Sequence, residues 1–454
     1  MIDKQKVQQF AGSFAGRIVV PDDPAFEEAR HIWNRRFDRR PALIARCASA
    51  DDVRRAIEFA HLNNLPAAVR SGGHSHAGHS TCDAGIVIDL GAMNTIEVNA
   101  SRQLLRTGPG AHGHSINEAT SAQGLAVTLG TCPDVAIGGL TIAGGEGELM
   151  GKIGLTCDNL QAASVVLADG REVVAAETDD RDLFWAIRGG HGNFGVVTSL
   201  LFRLHPVQRV LHGAVAYPID KAGEVLRFYR DFVPTIPDEL TTAVGTVVIK
   251  GQPMFAITVC YCGDLDEGLR VIAPLRSFAP PASDNIRAVS YLESQQEASS
   301  PAVGRSSIQK SGFIESISDS FIDAIARHLK HAPPDSIAMM NHLHGAVTRV
   351  RADATAFPLR REGFDFWISA EWEKPGDASS RMRWAQDFWK DIEPLTSGAY
   401  VGGIPEEPAE RVRFAYGANY PRLVAMKRKY DPGNFFRLNQ NIGVEPTLRN
   451  DRPG

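Results

Sequence analysis

The chain has no run approaching the roughly 18 consecutive apolar residues that a membrane-spanning helix needs. Its N-terminus, Met1-Ile-Asp-Lys-Gln-Lys-Val7, carries no apolar signal core, so the sequence predicts a soluble, cytoplasmic protein. Basic blocks are missing as well. Lys+Arg total 48 against 53 Asp+Glu, for a formal net charge of −5, and no aromatic–basic interleaving marks a nucleic-acid surface. Cysteines are few, six in 454 residues. A chain of this length does not need disulfide staples, and no Cys/His spacing suits zinc, so no structural metal is expected. Cys260-Tyr-Cys262 lies in a β-like run that sends both sulfurs to one face, which suits buried thiols. What remains is an ordinary globular composition, 43% hydrophobic and 22% charged, on a chain long enough for two lobes.

Hydrophobic periodicity divides the chain. Residues 1–40 read as a helical lead-in, with apolar positions at helical spacing from Phe26 to Trp33. A strand at 41–47 precedes a helix at 52–61, which has Ser49 and Asp51 as caps and Val53, Ala56, Ile57 and Ala60 on one face. A short apolar strand at 65–69 completes a β-α-β unit. It delivers Arg70-Ser-Gly-Gly-His-Ser75 rather than the G-x-G-x-x-G turn of a Rossmann fold. From 85 to about 205, short strands alternate with Gly-rich turns, including a hairpin that turns at Asp169-Gly170. Pro206 opens a second lobe. There, strands are expected at 211–216, 243–249, 254–262, 337–350 and 364–372, and helices at 222–232, 265–275, 319–328 and 379–392. Residues 278–284 and 293–306 are turn-rich and read as loops. This alternation predicts a mainly antiparallel sheet backed by helices on one face, and an α+β fold class. Helices at 411–416 and 422–429 close the chain, the second stopped by Asp431-Pro432.

The chemistry gathers in glycine-rich stretches. Gly72-Gly73 can adopt backbone angles closed to other residues, and their N–H groups can converge on an anion such as a pyrophosphate. His74 follows on the same loop, with His79 just beyond in His76-Ala-Gly-His79. A second stretch, Gly130-Thr-Cys-Pro-Asp-Val-Ala-Ile-Gly-Gly139, leads into Ala143-Gly-Gly-Glu-Gly-Glu148 and Gly154-Leu-Thr-Cys-Asp-Asn-Leu160. Further on come Gly189-Gly-His-Gly-Asn-Phe-Gly-Val-Val197, Ser397-Gly-Ala-Tyr-Val401 and Asn434-Phe-Phe-Arg-Leu-Asn-Gln-Asn-Ile442. Together these resemble the berberine-bridge-enzyme-like FAD-linked oxidases, with a PCMH-type FAD-binding domain of the vanillyl-alcohol-oxidase superfamily. The resemblance spans nearly the whole chain and is thinnest over 206–335.

The resemblance implies a two-lobed protein. Residues 1–205 would bind FAD, 206–395 would form the substrate lobe, and 396–454 would return to the first lobe. His74 and Cys132 stand at the two positions where many relatives attach FAD covalently, and both side chains are nucleophiles suited to that bond. Around them Arg70, Ser71, Gly72, Gly73, Ser75 and His79 are expected at the cofactor. So are Val135, Gly138, Gly139, Gly144 and Gly145, then Asp158 and Asn159. Gly192, Asn193, Gly195 and Val197 would contact its phosphates or adenosine, with Asn439 and Asn441 from the C-terminal segment. Phe184 and Trp185 are assigned to the core.

The implied reaction is hydride removal from an alcohol, sugar or secondary-metabolite substrate to flavin N5, with O2 reduced to H2O2. A base must take the substrate proton. Tyr400 is the first candidate, with Tyr420 and Tyr416 as alternatives. His342 and His344 share a face of one strand and offer another base, with Asn341 on the opposite face; Glu371 and Arg360 are further candidates. Val135 stands where relatives place a gate residue near the flavin, and valine there goes with oxygen access. Four positions depart from the family pattern: Ala143 replaces a glycine, Glu146 and Glu148 bring carboxylates to a phosphate-binding loop, and Gly402 replaces the usual asparagine after Tyr400. Gly151 likewise stands where relatives often carry a basic residue. An oxidative cyclase, a dehydrogenase with another acceptor, and a non-catalytic flavin-binding protein remain the alternatives. Monomer and homodimer are both compatible with the sequence.

Overall fold

Ser49 begins the first long helix. Its hydroxyl accepts from Asp52 N–H, and Asp51 and Asp52 sit in the first turn, where the helix dipole favours negative charge. The helix runs Ala50–Leu62 and buries Val53, Ala56, Ile57 and Ala60 against a four-stranded sheet. Strands Leu43–Arg46 and Ala67–Arg70 flank that helix in sequence and both pair in parallel with Ile86–Asp89, which lies between them. The expected β-α-β unit is therefore present, with a later strand inserted at its centre. The computed structural model describes residues 3–297, 304–404 and 408–443. Before this unit the lead-in is a helix Lys4–Gly12, an edge strand Arg17–Val19 and a short helix Phe26–Arg30.

A five-stranded antiparallel sheet follows, in the order Ile96–Asn99, Leu104–Thr107, Val196–Arg203, Leu160–Val166 and Glu172–Ala176. Its last two strands are the hairpin turned at Asp169-Gly170, where Gly170 has φ +81°. Helices Ala409–Tyr416 and Tyr420–Tyr430 pack beside it, and Val401, Val412 and Leu423 join Leu105, Val165 and Phe202 in one apolar cluster.

The largest sheet has eight strands and is antiparallel throughout. Helices Ala222–Phe232, Leu265–Ser277, Asp319–Leu329 and Ala378–Ile392 cover one face, and their apolar stripes meet Val244, Ile257, Met340, Phe366 and Ile368. Two segments differ from the sequence reading. The strand expected over 337–350 runs Ser336–Leu343, because Gly345 at φ +60° turns the chain into a short helix, Ala346–Arg349. The expected loop at 293–306 begins inside a helix, Tyr291–Glu297, and ends at a nine-residue edge strand, Ser306–Ile314; residues 298–303 lie outside the described set.

Strand parity sets what the uncovered face offers. Asn341 pairs with Asp365, Met339 with Trp367, and Ser307, Gln309 and Ser311 with Glu371, Ser369 and Trp367. These residues share one face, opposite the helix-facing Met340, Phe366 and Ile368. That face is polar, and it lies over the glycine loops of the first lobe: Gln309 donates to Gly403 O at 3.1 Å and Asn341 to Glu146 Oε2 at 3.2 Å.

Candidate active site

The strand Ala67–Arg70 hands its chain to the Ser71–Ser75 loop at one end of the parallel sheet. Arg70 is buried; it donates to Ala29 O at 2.7 Å and to Asp89 Oδ2 at 2.8 Å. It therefore braces the loop from behind and does not line the cavity in front. Gly72 packs so closely on Ala136, which caps the helix Ile137–Ala143, that a Cβ there would stand 2.8 Å from that of Ala136. Gly73 has φ +73°, in the left-handed region. Among the described residues, no group accepts from the N–H of Gly72, Gly73, His74 or Ser75.

A cavity of about 270 Å³ opens against this loop. Ser71, Gly72, Gly73, His74, Ser75, His79, Val135, Gly138, Gly139, Gly192, Gly195, Val197 and Asn439, all expected at the cofactor, line it together with Tyr400. Cys132 adjoins it: its Sγ lies 3.7 Å from His74 Nε2 across 58 residues of sequence. Trp33 stacks on the His74 ring at 4.5 Å, and burial lowers the His74 pKa, keeping a neutral imidazole with a free lone pair. Sequence reasoning quoted the motifs containing His76, His191 and Gln440 but assigned these three no cofactor role, and they also line the cavity. Burial pushes His76 and His79 down to about 3 and His191 to about 4. Nδ1 of His76, His79 and His191, Oε1 of Gln440 and Oδ1 of Asn439 are all buried without a protein partner. So many unmet polar atoms and free loop amides around one cavity fit a polar cofactor with phosphates better than an apolar ligand.

Several expected cofactor residues act one layer further out. Asp158 accepts both terminal nitrogens of Arg360 at 2.8 Å, which makes Arg360 part of a buried clamp and removes it from the substrate candidates. Asn159 donates to Ile153 O and Leu155 O. Asn193 donates to Gly190 O and Gln440 O and accepts from Ile442 N–H, tying the loop at Gly192 to the C-terminal segment. Lys427 holds the same junction. Fully buried, it donates to Asn193 O, Asp431 Oδ2 and Phe436 O within 2.9 Å. Gly144 and Gly145 meet the Phe357 ring and Thr156, and Asn441 Oδ1 is buried with no partner.

Among the base candidates, Tyr400 alone lines the cavity; its Oη accepts from Gly145 N–H at 3.3 Å. Burial, and then the Glu146 and Asp365 carboxyls, raise its pKa far above that of a free phenol. Tyr420 lies against Arg413, and Tyr416 is sealed in the core with its hydroxyl unpartnered. His342 departs from expectation. Strand parity turns it to the helix side, where it stacks on Phe364 at 5.0 Å and on His344 at 4.6 Å. His344 lies beside Gly151 and is equally buried away from the cavity. The sheet presents Asn341 and Asp365 instead, and the sequence reading did not single out Asp365. Glu371 shares that face but is paired to Arg305 at 3.6 Å.

The departures from the family pattern are neighbours in space. A Cβ at Gly402 would lie 3.0 Å from Tyr400 Oη and 3.1 Å from the Ala143 methyl. The extra methyl and the missing side chain thus exchange volume beneath Tyr400. Glu148 points away from the phosphate loops: it accepts from His212 at 3.0 Å and Gln295 at 2.7 Å, and the contact raises the His212 pKa despite burial. Glu146 is turned to the sheet, and burial pushes its carboxyl up to about 7. Asp365 is raised well above the usual carboxylate range by burial and then by Glu146. Beside Cys132, the bridge His112↔Ala136 brings His112, His114 and Asp134 together with ligand atoms within 4.8 Å, a grouping invisible in sequence.

A parallel sheet ending in a histidine loop, a second loop carrying the facing cysteine, and a polar antiparallel roof define an FAD-linked oxidoreductase. Family models agree: residues 41–176 match "FAD binding domain" and residues 396–443 match "Berberine and berberine like". The chain is 32% identical to (R)-6-hydroxynicotine oxidase of Paenarthrobacter nicotinovorans, over 95% of this chain and 98% of that one. It is also 32% identical to the FAD-linked oxidoreductase YgaK of Bacillus subtilis (strain 168), over 96% and 97%. The crystal structure of 6-hydroxy-D-nicotine oxidase from Arthrobacter nicotinovorans superposes with a TM-score of 0.87, covering 95% of this chain and 99% of that one at 32% identity. A chitooligosaccharide oxidase shares the fold at 23% identity, with a TM-score of 0.87 over 97% and 100%. The chain belongs to the berberine-bridge-enzyme-like family of FAD-linked oxidoreductases.

Proposed function

We propose that the protein is an oxidase that holds FAD covalently through His74 and Cys132 and oxidises a small molecule at a carbon bearing a heteroatom, passing the electrons to O2 to give H2O2. The observation that carries this reading is the convergence of Cys132 Sγ and His74 Nε2, 3.7 Å apart, beside a cavity walled by free loop amides. Bound there, FAD supplies a two-electron acceptor for hydride. The Gly72–Ser75 amides would cradle its phosphates beside Gly138 and Gly139, which leave the cavity wall without side chains, and neutral His74 is already in the nucleophilic state. Val135, a cavity-lining residue, leaves room for O2.

The same geometry redistributes the acid–base roles. A buried phenol next to two carboxyls does not ionise, so Tyr400 is a hydroxyl that orients the substrate and hands on its proton. Glu146 and Asp365 accept it. Burial raises both carboxyls, Glu146 to about 7 and Asp365 well above the usual carboxylate range, which suits them to that task. An alcohol, a sugar or another secondary metabolite would be the substrate, acted on in the cytoplasm by a monomer or homodimer.

Anaerobic addition of candidate substrates to the yellow protein, then admission of air, tests the reading. Bleaching followed by prompt return of the absorbance is the expected result. Bleaching with slow reoxidation would assign a dehydrogenase or cyclase, and no bleaching across alcohols, sugars and amines would favour a non-catalytic flavoprotein.

A further inference from the structure

Two carboxyls, Glu146 on the 143–148 loop and Asp365 on the sheet facing it, lack the counter-ion that buried charge ordinarily requires. Glu146 Oε2 accepts from Asn341 Nδ2 at 3.2 Å, whereas its Oε1 is buried without a partner. Asp365 stands directly opposite Asn341 across the antiparallel pair, so its carboxyl occupies the same face of the sheet, and its Oδ1 is likewise buried and unpartnered. Among the described residues neither carboxyl has an ion pair. A cavity of about 80 Å³ lies between the loop and the sheet, lined by Glu146, Asn341, Thr131, Met150 and Thr258. Thr131 adjoins Cys132, so this space borders the cofactor site.

We propose that Glu146 and Asp365, flanking Asn341, form a receptor for the protonated amine of the substrate, so that the molecule oxidised at this site is an amine. The inference rests on the flavin-dependent reading above and names the substrate class for it. Two carboxyls sharing one proton carry a single negative charge, and they present two unpartnered acceptor oxygens. A primary or secondary ammonium ion brings one positive charge and at least two N–H donors, which satisfies both. A neutral alcohol or sugar would seal the cavity from water and leave the charge uncompensated. The step balances simply. The ammonium proton moves from nitrogen to the ionised carboxylate. The amine then gives up hydride from its α-carbon to FAD, a two-electron oxidation, and the resulting iminium ion takes up water to give a carbonyl compound and an amine.

Benzamidine tests this without turnover, because it is a cation with N–H donors and no α-hydrogen; benzyl alcohol is the neutral control. Calorimetric titration of the purified protein, with its flavin spectrum recorded alongside, should give saturable benzamidine binding at least about tenfold tighter than benzyl alcohol. Glu146→Gln should weaken it by about tenfold or more, Asp365→Asn should weaken it too, and Glu146→Asp should retain it. The ionisable groups facing Glu146 are Asp365, Tyr400 and, around the small cavity, the Cys260 thiol and Glu148, which is itself held by His212 and Gln295. Affinity should therefore rise between about pH 6 and pH 8 as Glu146 ionises through about 7. Absence of benzamidine binding, equal binding by Glu146→Gln and Asp365→Asn, or equal affinity for benzyl alcohol would overturn the proposal. A protein that binds benzamidine through Glu146 but carries no flavin would instead overturn the flavin reading and leave the amine receptor standing.

Discussion

Replacing Glu146 by Gln should make the protein more stable in alkaline solution and leave it unchanged in acid. The folded protein lifts this carboxyl from an ordinary value of 4.5 to about 7, chiefly through burial. A raised carboxyl pKa means that the native state binds the proton more tightly than the unfolded chain does. Its contribution is therefore intact below about pH 4.5 and is lost progressively as the pH climbs through about 7. A displacement of about 2.5 units at about 1.4 kcal/mol each corresponds to about 3 kcal/mol. Gln keeps the acceptor for Asn341 Nδ2 and has no charge to desolvate, so it escapes this loss. For a chain of this length, about 3 kcal/mol corresponds to a shift of about 3 °C in Tm. Paired melting curves of wild type and Glu146→Gln should coincide near pH 5 and separate in favour of the variant by pH 8. The argument fails if the difference between them does not change with pH, or if the wild type gains on the variant as the pH rises.

Other perturbations follow from the same geometry. Lys427→Met removes the cation that joins Asn193, Asp431 and Phe436 and leaves Asp431 buried and unpaired, so it should lower stability by about 3–5 kcal/mol in denaturant melts. Gly72→Ala places a methyl 2.8 Å from Ala136 Cβ, and the purified variant should show reduced flavin content by absorbance. His342→Gln should leave turnover within about twofold of wild type, because that ring faces the helix layer; a loss of two orders of magnitude would return it to the site. Gly402→Asn alone should crowd Tyr400 and lower kcat, whereas Ala143→Gly with Gly402→Asn should recover most of it. Simple additivity of the two changes would refute the volume exchange.

Much of this molecule was legible in its sequence, for identifiable reasons. The helix at 50–62 announced itself through Ser49 and a clean apolar stripe, and the hairpin at 160–176 through Asp169-Gly170. The loops holding His74 and Cys132 were marked by glycines that no packing argument demanded elsewhere. The edge strand Ser306–Ile314 escaped because it is buried on both faces while Ser307, Gln309 and Ser311 are polar where they face the site, so neither an apolar run nor a polar-out alternation marks it. The same blind spot hid Asp365, whose neighbours Phe364 and Phe366 read as core. His342 and Asn341 were correctly placed on opposite faces, but which face met the site depended on the register with strand Gly363–Trp372, a long-range property. Arg360 looked like a substrate ligand because its partner, Asp158, lies 202 residues away.

The account stands most directly on how the flavin is held. The intact mass of the denatured protein should exceed that of the chain by one FAD in the wild type. It should do so again in His74→Ala and in Cys132→Ala, and should fall to the bare chain when both are replaced. Release of free flavin from the denatured wild type would contradict the attachment at His74 and Cys132 on which the proposed function rests.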